Sequence, residues 1–335
     1  MNDFNKFLYH YFSGKNPKKW HPFLAVYYLT YGCNFRCPYC SDGSGKPYHQ
    51  LPNKIVPSVD VLQILKNIRK NCNTLVISGG EPLNYPEFSE VISNLKPIKF
   101  KEVLLTTNGF RINEFLDVFP NNITSLSVSL DTMNPEKADK YYGNGEGTFR
   151  KIMNNIELMH NHSSRNYNIN ISSVVTPDNI SDLMDVYEFS QQRGYMFAAA
   201  PHLQGVVANE GLIHNTDYYN FYDFLRKEKL KGRRIFGSPL YLEYMRDLKK
   251  FTCKPFTMLV VSPIGEIFYP CLEIGHNAGN ILQNHNLNQV KELAEKKYGL
   301  PPQCNNQCHS ACALGFGAFL QFPIKTIFEE FKCKI

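Results

Sequence analysis

Cys33, Cys37 and Cys40 lie in the run Tyr-Gly-Cys-Asn-Phe-Arg-Cys-Pro-Tyr-Cys, a Cys-x3-Cys-x2-Cys spacing that few chemistries require. Three thiolates are one short of a closed tetrahedral site. They suit a [4Fe–4S] cluster in which the protein holds three irons and the fourth stays open to a ligand. An open iron implies chemistry rather than scaffolding. The competing use is a zinc knuckle, but zinc sites usually pair Cys-x2-Cys motifs and take a fourth ligand from close by. No histidine or further cysteine stands directly beside this triplet.

Cysteines return late in the chain, at Cys253, Cys271, Cys304, Cys308 and Cys312. The first two flank residues 260–268, which read as a hairpin turning at Pro263-Ile264-Gly265. The last three fall on closely spaced turns. Together they can close a metal centre of their own, as an iron–sulfur cluster or a structural zinc site. Cys72 and Cys333 stand apart and read as small buried hydrophobes.

Elements must exist to position these groups. Short β-branched runs at 24–29, 75–78, 102–106, 125–130, 168–175 and 195–200 alternate with amphipathic stretches at 59–70, 87–95, 112–119, 148–160 and 180–193. Parallel βα units follow from that order. Each strand runs into a polar or Gly-containing turn, among them Gly79-Gly80-Glu81 and Thr107-Asn108-Gly109. In a parallel barrel such turns converge at the C-terminal mouth, where active sites form. The fold class expected is α/β: a partial (β/α)6 TIM-like barrel, open on one side, with a small C-terminal α+β domain. The boundaries expected are an N-terminal extension at 1–22, the barrel at 23–201, connecting helices at 202–252, the second cysteine domain at 253–322 and a terminal helix at 323–335.

The triplet and its loop resemble the radical S-adenosylmethionine (SAM) superfamily. That resemblance implies that SAM chelates the open iron, that the reduced cluster passes one electron into the sulfonium, and that a 5′-deoxyadenosyl radical abstracts a substrate hydrogen. It also assigns positions. Tyr39 takes the aromatic place beside adenine, and Gly79, Gly80 and Glu81 form the turn that meets the SAM amino group. Thr106, Thr107 and Asn108, then Ser129 and Asp131, resemble the strand-end contacts to ribose and carboxylate. Ser173 and Asn179 are weaker candidates of the same kind, and His202 is a candidate for substrate contact.

The later cysteines resemble the SPASM/twitch extension, which holds an auxiliary [4Fe–4S] cluster. Full SPASM domains carry seven cysteines and a Cys-x2-Cys-x5-Cys-x3-Cys run that this chain lacks. The shorter, twitch-like form fits better. Cys253, Cys271 and Cys304 are the firmer ligands, either Cys308 or Cys312 completes the set, and His309 orients a neighbour.

Composition narrows the setting. Ten cysteines in 335 residues, with no apolar signal segment at the start, point to metal ligation in a reducing cytoplasm. A net charge of +6 is mild and spread out. It suits a small acidic electron donor of flavodoxin or ferredoxin type, and no nucleic-acid partner is expected. The longest apolar stretch, 311–320, is about half of the ~20 residues that a spanning helix needs. Amphipathic stretches at 6–20 and 316–331 read as helices closing the fold, and they leave a peripheral membrane contact open.

The function expected is hydrogen abstraction from a small-molecule or biosynthetic-intermediate substrate, assisted by the auxiliary cluster. A peptide-modifying maturase ranks second, because only 32 residues precede Cys33 and no leader-binding domain is expected there. A non-catalytic zinc-binding protein is the alternative of another class.

Overall fold

Alternation with period two builds the sheet. The computed structural model describes residues 2–14, 17–41, 46–302 and 308–333. Within them β1 (Leu24–Thr30), β2 (Thr74–Gly79), β3 (Glu102–Thr107), β4 (Ser125–Ser129), β5 (Asn168–Val175) and β6 (Met196–Pro201) lie side by side in sequence order, all parallel. Most residues of one parity are apolar and buried beneath helices, among them Leu75, Ile77, Leu105, Val128, Ile171 and Phe197, which are fully buried. Their neighbours along each strand face the concave side, where Ser78, Thr106, Ser127 and Asn170 border open space. The packed core therefore lies between sheet and helices, and the inside of the barrel is left as a cavity.

The helices Ser58–Arg69, Phe88–Ser93, Thr148–His160 and Leu183–Gln192 cover the outside. Thr148–His160 matches its expected span, with Ile152, Ile156 and Met159 on the buried stripe. The expected helix at 112–119 is not one. Ile112–Glu114 is a 3₁₀ turn followed by further turns, whose amides bond three residues back, Glu114 to Arg111 and Phe115 to Ile112. That tighter winding already brings Ile112 and Phe119 onto the sheet. The 180–193 helix likewise begins as a 3₁₀ turn, Ile180–Asp182.

Between β4 and β5 a helix escaped the sequence reading. Pro135–Tyr142 is capped by Asn134, whose side chain accepts from the Lys137 amide, and it ends at Gly143 with φ 59°. Asn-Pro before it and glycine after it were the signals.

After β6 the expected connecting helices are Thr216–Leu230 and Pro239–Arg246, preceded by a small hairpin of β7 (Leu203–Gln204) and β8 (Val207–Ala208). The C-terminal strands join the edge of the barrel sheet beside β1. β9 (Met258–Val261) pairs parallel with β1, Leu24 opposite Met258, and β10 (Glu266–Tyr269) and β11 (His276–Asn280) continue from it. One nine-stranded sheet, ordered β11-β10-β9-β1-β2-β3-β4-β5-β6, crosses the boundary expected at 253. The 260–268 hairpin turns as expected, with Gly265 at φ 86°. β11 and the helix Leu287–Tyr298 were not foreseen.

The terminal stretches are shorter and more broken than expected. The first helix is Asp3–Phe12, not 6–20, and 316–331 divides into Ala311–Gln321 and Pro323–Lys332, bent by 101°. Pro323, lacking an amide proton, starts a new helix rather than continuing the old one. Among the described residues no single helix is long and apolar enough to cross a membrane.

Candidate active site

Cys33, Cys37 and Cys40 leave the C-terminal end of β1 in a loop that the rest of the protein grips by its backbone. The Gly80 amide donates to the Thr30 carbonyl and the Glu81 amide to the Gly32 carbonyl, each at 2.8 Å. A Cβ on Gly79 would sit 2.2 Å from the Thr30 oxygen, and one on Gly80 2.5 Å from the oxygens of Tyr31 and Gly32. The two glycines are thus required by the cluster loop itself. Farther along the loop, Phe35 is buried and stacks on Tyr142 at 4.9 Å, while the Arg36 amide donates to the Tyr142 carbonyl. The helix missed from the sequence supplies that support.

Glu81 is buried, and both of its oxygens are engaged. Oε1 accepts from the Leu83 amide and the Thr107 hydroxyl, and Oε2 from the Asn108 amide at 2.6 Å. Burial pushes this carboxyl up to about 7 against those stabilising donors. It clasps the turn to the end of β3 and does not point into the mouth. Asn108 extends the clasp, donating through Nδ2 to Asn34 Oδ1 at 2.9 Å. Asn53, which the sequence reading passed over, accepts from the Thr30 hydroxyl and the Tyr31 amide.

Asp131 does the same work at β4. Its Oδ1 accepts from the Val174 amide at 2.7 Å, and its Oδ2 accepts from the hydroxyl of Tyr39, in the cluster loop. Burial raises its carboxyl to about 6. Both oxygens are used inside the protein, so Asp131 holds the loop. Ser129 shares the concave face with Ser125 and Ser127, and Thr106 lies there too, bonded to Ser78 at 3.0 Å. Ser173 and Asn179 are corrections. Ser173 is buried on the helix side, donating to the Leu130 carbonyl at 2.6 Å, and Asn179 is fully buried against the Asp131 and Val174 carbonyls. Strand parity decides this: Asn170 and Ser172, not Ser173, face the open side. His202 does reach the mouth, with its ring 6.3 Å from that of Tyr39.

The second cysteine group occupies the opposite end. Cys253 precedes β9, which runs parallel to β1, and Cys271 follows the antiparallel β10, so both lie at the N-terminal end of the sheet. β1 has seven residues, which at ~3.3 Å each separates the two groups by about 20 Å. A cavity of about 770 Å³ fills the concave side between them. It starts at Ser78 and Thr106 beneath the first loop and ends on Cys253, Cys271, Cys308 and Cys312. The triplet itself does not line it. Cys312 keeps accessible surface, and that surface faces the cavity. Cys304 lies outside the described residues.

Glu273, two residues after Cys271, also lines the cavity and was not foreseen. Burial, then this carboxylate, raises the Cys312 thiol to about 11 and lifts Cys271 as well. His309 does not orient a cysteine: its Nδ1 accepts from the Ala208 amide at 2.9 Å, tying β8 to this group. Cys72 is buried as expected, and Cys333 is half-buried at a helix end.

The donor chemistry fits iron–sulfur clusters. Burial pushes Cys33 up to about 11 and raises Cys37 and Cys40, so a metal cation is needed to hold them as thiolates. Among the described residues no three His, Cys, Asp or Glu gather tightly enough for a single ion.

Comparison with known proteins gives the same direction. A family model described as the radical SAM superfamily matches residues 27–190. The probable GTP 3′,8-cyclase of Methanocaldococcus jannaschii is 25% identical over 292 residues, covering 83% of this chain and 92% of that protein. The AdoMet-dependent heme synthase of Methanosarcina barkeri is 25% identical over 320 residues, covering 86% and 87%. Among solved structures, native anSMEcpe with bound AdoMet and the Kp18Cys peptide superposes with a TM-score of 0.60 at 19% identity, covering 94% of this chain and all of that one. At that identity the likeness is one of fold.

Proposed function

The chain belongs to the radical SAM superfamily, and from that premise we propose that it abstracts hydrogen from a small-molecule biosynthetic intermediate held in the cavity between its two cysteine groups. When bound, the reduced [4Fe–4S] cluster and SAM supply one-electron cleavage of the sulfonium and the carbon-centred radical that follows. The chain's own residues do the rest. Cys33, Cys37 and Cys40 hold three irons. The backbone of Gly79 and Gly80, with Ser78, Thr106 and Ser129, offers polar groups to SAM at the mouth, while Tyr39 flanks the adenine. Glu81, Thr107, Asn108 and Asp131 act one step back, keeping the loop in place.

The observation that carries the substrate class is the cavity. Its volume of about 770 Å³ fits a small molecule, and its wall, apolar for the most part through residues such as Val26, Val76, Leu104 and Met258, carries Ser78, Thr106, Ser127 and Asn170 as polar anchors. Its far end presents Cys253, Cys271, Cys308 and Cys312 as ligands for the auxiliary cluster, with Glu273 beside them to bind substrate or exchange a proton. The relatives that match along most of their length are named for acting on GTP and for making heme, which supports a small molecule over a peptide. An acidic flavodoxin- or ferredoxin-type donor in a reducing cytoplasm would supply the electron to a chain of charge +6.

The test is anaerobic turnover with dithionite and SAM. Formation of 5′-deoxyadenosine is expected, and Cys37→Ala should lower it by at least about a thousandfold, since a cluster lacking one of its three ligands no longer presents SAM. Unchanged turnover in that variant, or protein that carries two zinc ions and no sulfide, would refute the reading.

A further inference from the structure

Both terminal helices are inside out. In Asp3–Phe12 the buried side chains are Lys6 and His10. The Lys6 ammonium donates to the Pro22 and Asn71 carbonyls at 2.6 and 3.0 Å, and His10 Nε2 bonds the His21 carbonyl at 2.8 Å. Phe4 and Phe12, on the opposite side, are 66% and 78% exposed. In Pro323–Lys332 the only buried residue is Thr326, and the inward charges pair with the body of the protein, Glu330 with Lys229 and Lys325 with Glu243. Ile324, Ile327, Phe328 and Phe331 recur three and four residues apart, forming one outward stripe that is 48–83% exposed. A helix that packs on its own domain normally turns that stripe inward.

The first helix touches the one that leads into the last through two half-buried rings. The Phe7 ring lies 5.3 Å from that of Phe319, just before Gln321 ends its helix and Pro323 opens the next. A cationic rim adjoins the last helix. A Cβ on Gly232 would lie 3.2 Å from the Cys333 carbonyl, so the turn carrying Lys231 and Arg233 abuts the last helix. Lys231 and Arg233 point out, 68% and 59% exposed, whereas Glu228, their acidic partner, is 13% exposed. The Lys332 ammonium sits 4.6 Å over the Phe328 ring.

We infer that these two helices seat the protein on the surface of an anionic lipid bilayer, with the apolar stripes at the acyl–headgroup boundary and the lysine and arginine side chains among the phosphates. Apolar stripe and basic rim are the two features that such binding combines. Each helix has ten residues, about 15 Å, so each lies on the bilayer and neither spans it. A second copy of the chain, docked symmetrically, would bring the two cationic rims together.

The full chain should sediment with vesicles of equal parts phosphatidylcholine and phosphatidylglycerol, and far less with phosphatidylcholine alone. Phe328→Glu with Phe331→Glu, and separately Phe4→Glu with Phe12→Glu, should each weaken binding at least about tenfold. Lys231→Glu with Arg233→Glu should also cost about tenfold or more, and high salt should do the same to the wild type. All six positions are exposed, so melting temperatures should stay within a few degrees. Absence of binding, equal binding to both vesicle types, or variants that bind like the wild type would overturn the inference. So would a solution dimer that the Phe328/Phe331 variant splits, because a second copy would then cover the face.

Discussion

The two cysteine groups are built on opposite plans. Cys33, Cys37 and Cys40 come from one short loop, oriented by hydrogen bonds and close contacts to its backbone, by the side chains of Asn34 and Tyr39 and by the Phe35–Tyr142 stack. Cys253, Cys271, Cys308 and Cys312 arrive from three separate segments, brought together by the pairing of β9 with β1 and by the start of the helix Ala311–Gln321. The first group is therefore sensitive to its neighbours one ångström at a time, the second to whether distant elements pair at all. A preformed loop suits a cluster that must offer one open iron in a fixed direction. A site closed by several segments suits a cluster that forms the floor of a cavity.

The largest test of that contrast short of removing a ligand is Gly80→Ala. Its Cβ has nowhere to go between the oxygens of Tyr31 and Gly32 at 2.5 Å, so the loop must shift. We expect iron to fall from about eight to about four per chain, with SAM cleavage lost and the second cluster intact. Iron that stays at about eight would show that the loop is less constrained than its packing implies. Cys271→Ala should do the reverse, removing the second set of irons and product formation while leaving 5′-deoxyadenosine measurable at no less than about a tenth of the wild-type rate. If SAM cleavage vanished as well, the two groups would not be separable.

The smallest effect concerns pH. Glu81 rises from its ordinary 4.5 to about 7 when folded, so the folded state binds the extra proton between those values. Stability then falls as pH rises through that window, by about 3 kcal/mol for the cluster-free protein. Glu81→Gln, which cannot ionise, should flatten that part of the melting profile while lowering its acid end, because its amide NH2 opposes the Asn108 amide. A wild-type melting temperature that rises from pH 4.5 to 7 would contradict the burial of this carboxyl.

Much of the site was legible because its residues are local. The triplet, the Gly79-Gly80-Glu81 turn and the Thr107-Asn108 end of β3 lie where period-two strands stop, and the structure brings them together at one mouth. Their roles were less legible. Glu81 and Asp131 looked like groups aimed at a ligand, yet each spends both oxygens on the protein, and a sequence does not say where a carboxylate points. Ser173 was misplaced by one residue of strand parity, although the alternation of Ile169, Ile171 and Ser173 on the buried side was there to be read. Asn53 had no signal at all, since its partners Thr30 and Tyr31 are far from it in the chain.

By itself the sequence determined the chemistry and the parallel α/β frame, because thiol spacing and hydrophobic period are properties of neighbouring residues. Only the tertiary structure decided that β9 extends the barrel sheet, that the two cysteine groups stand about 20 Å apart at opposite ends of one concave face, and that a cavity joins them. It also decided that the amphipathic ends of the chain turn their apolar stripes outward. Pairing between strands more than two hundred residues apart, and the choice of which helix face to bury, depend on competition among all the surfaces of the folded chain, and no local pattern records the winner.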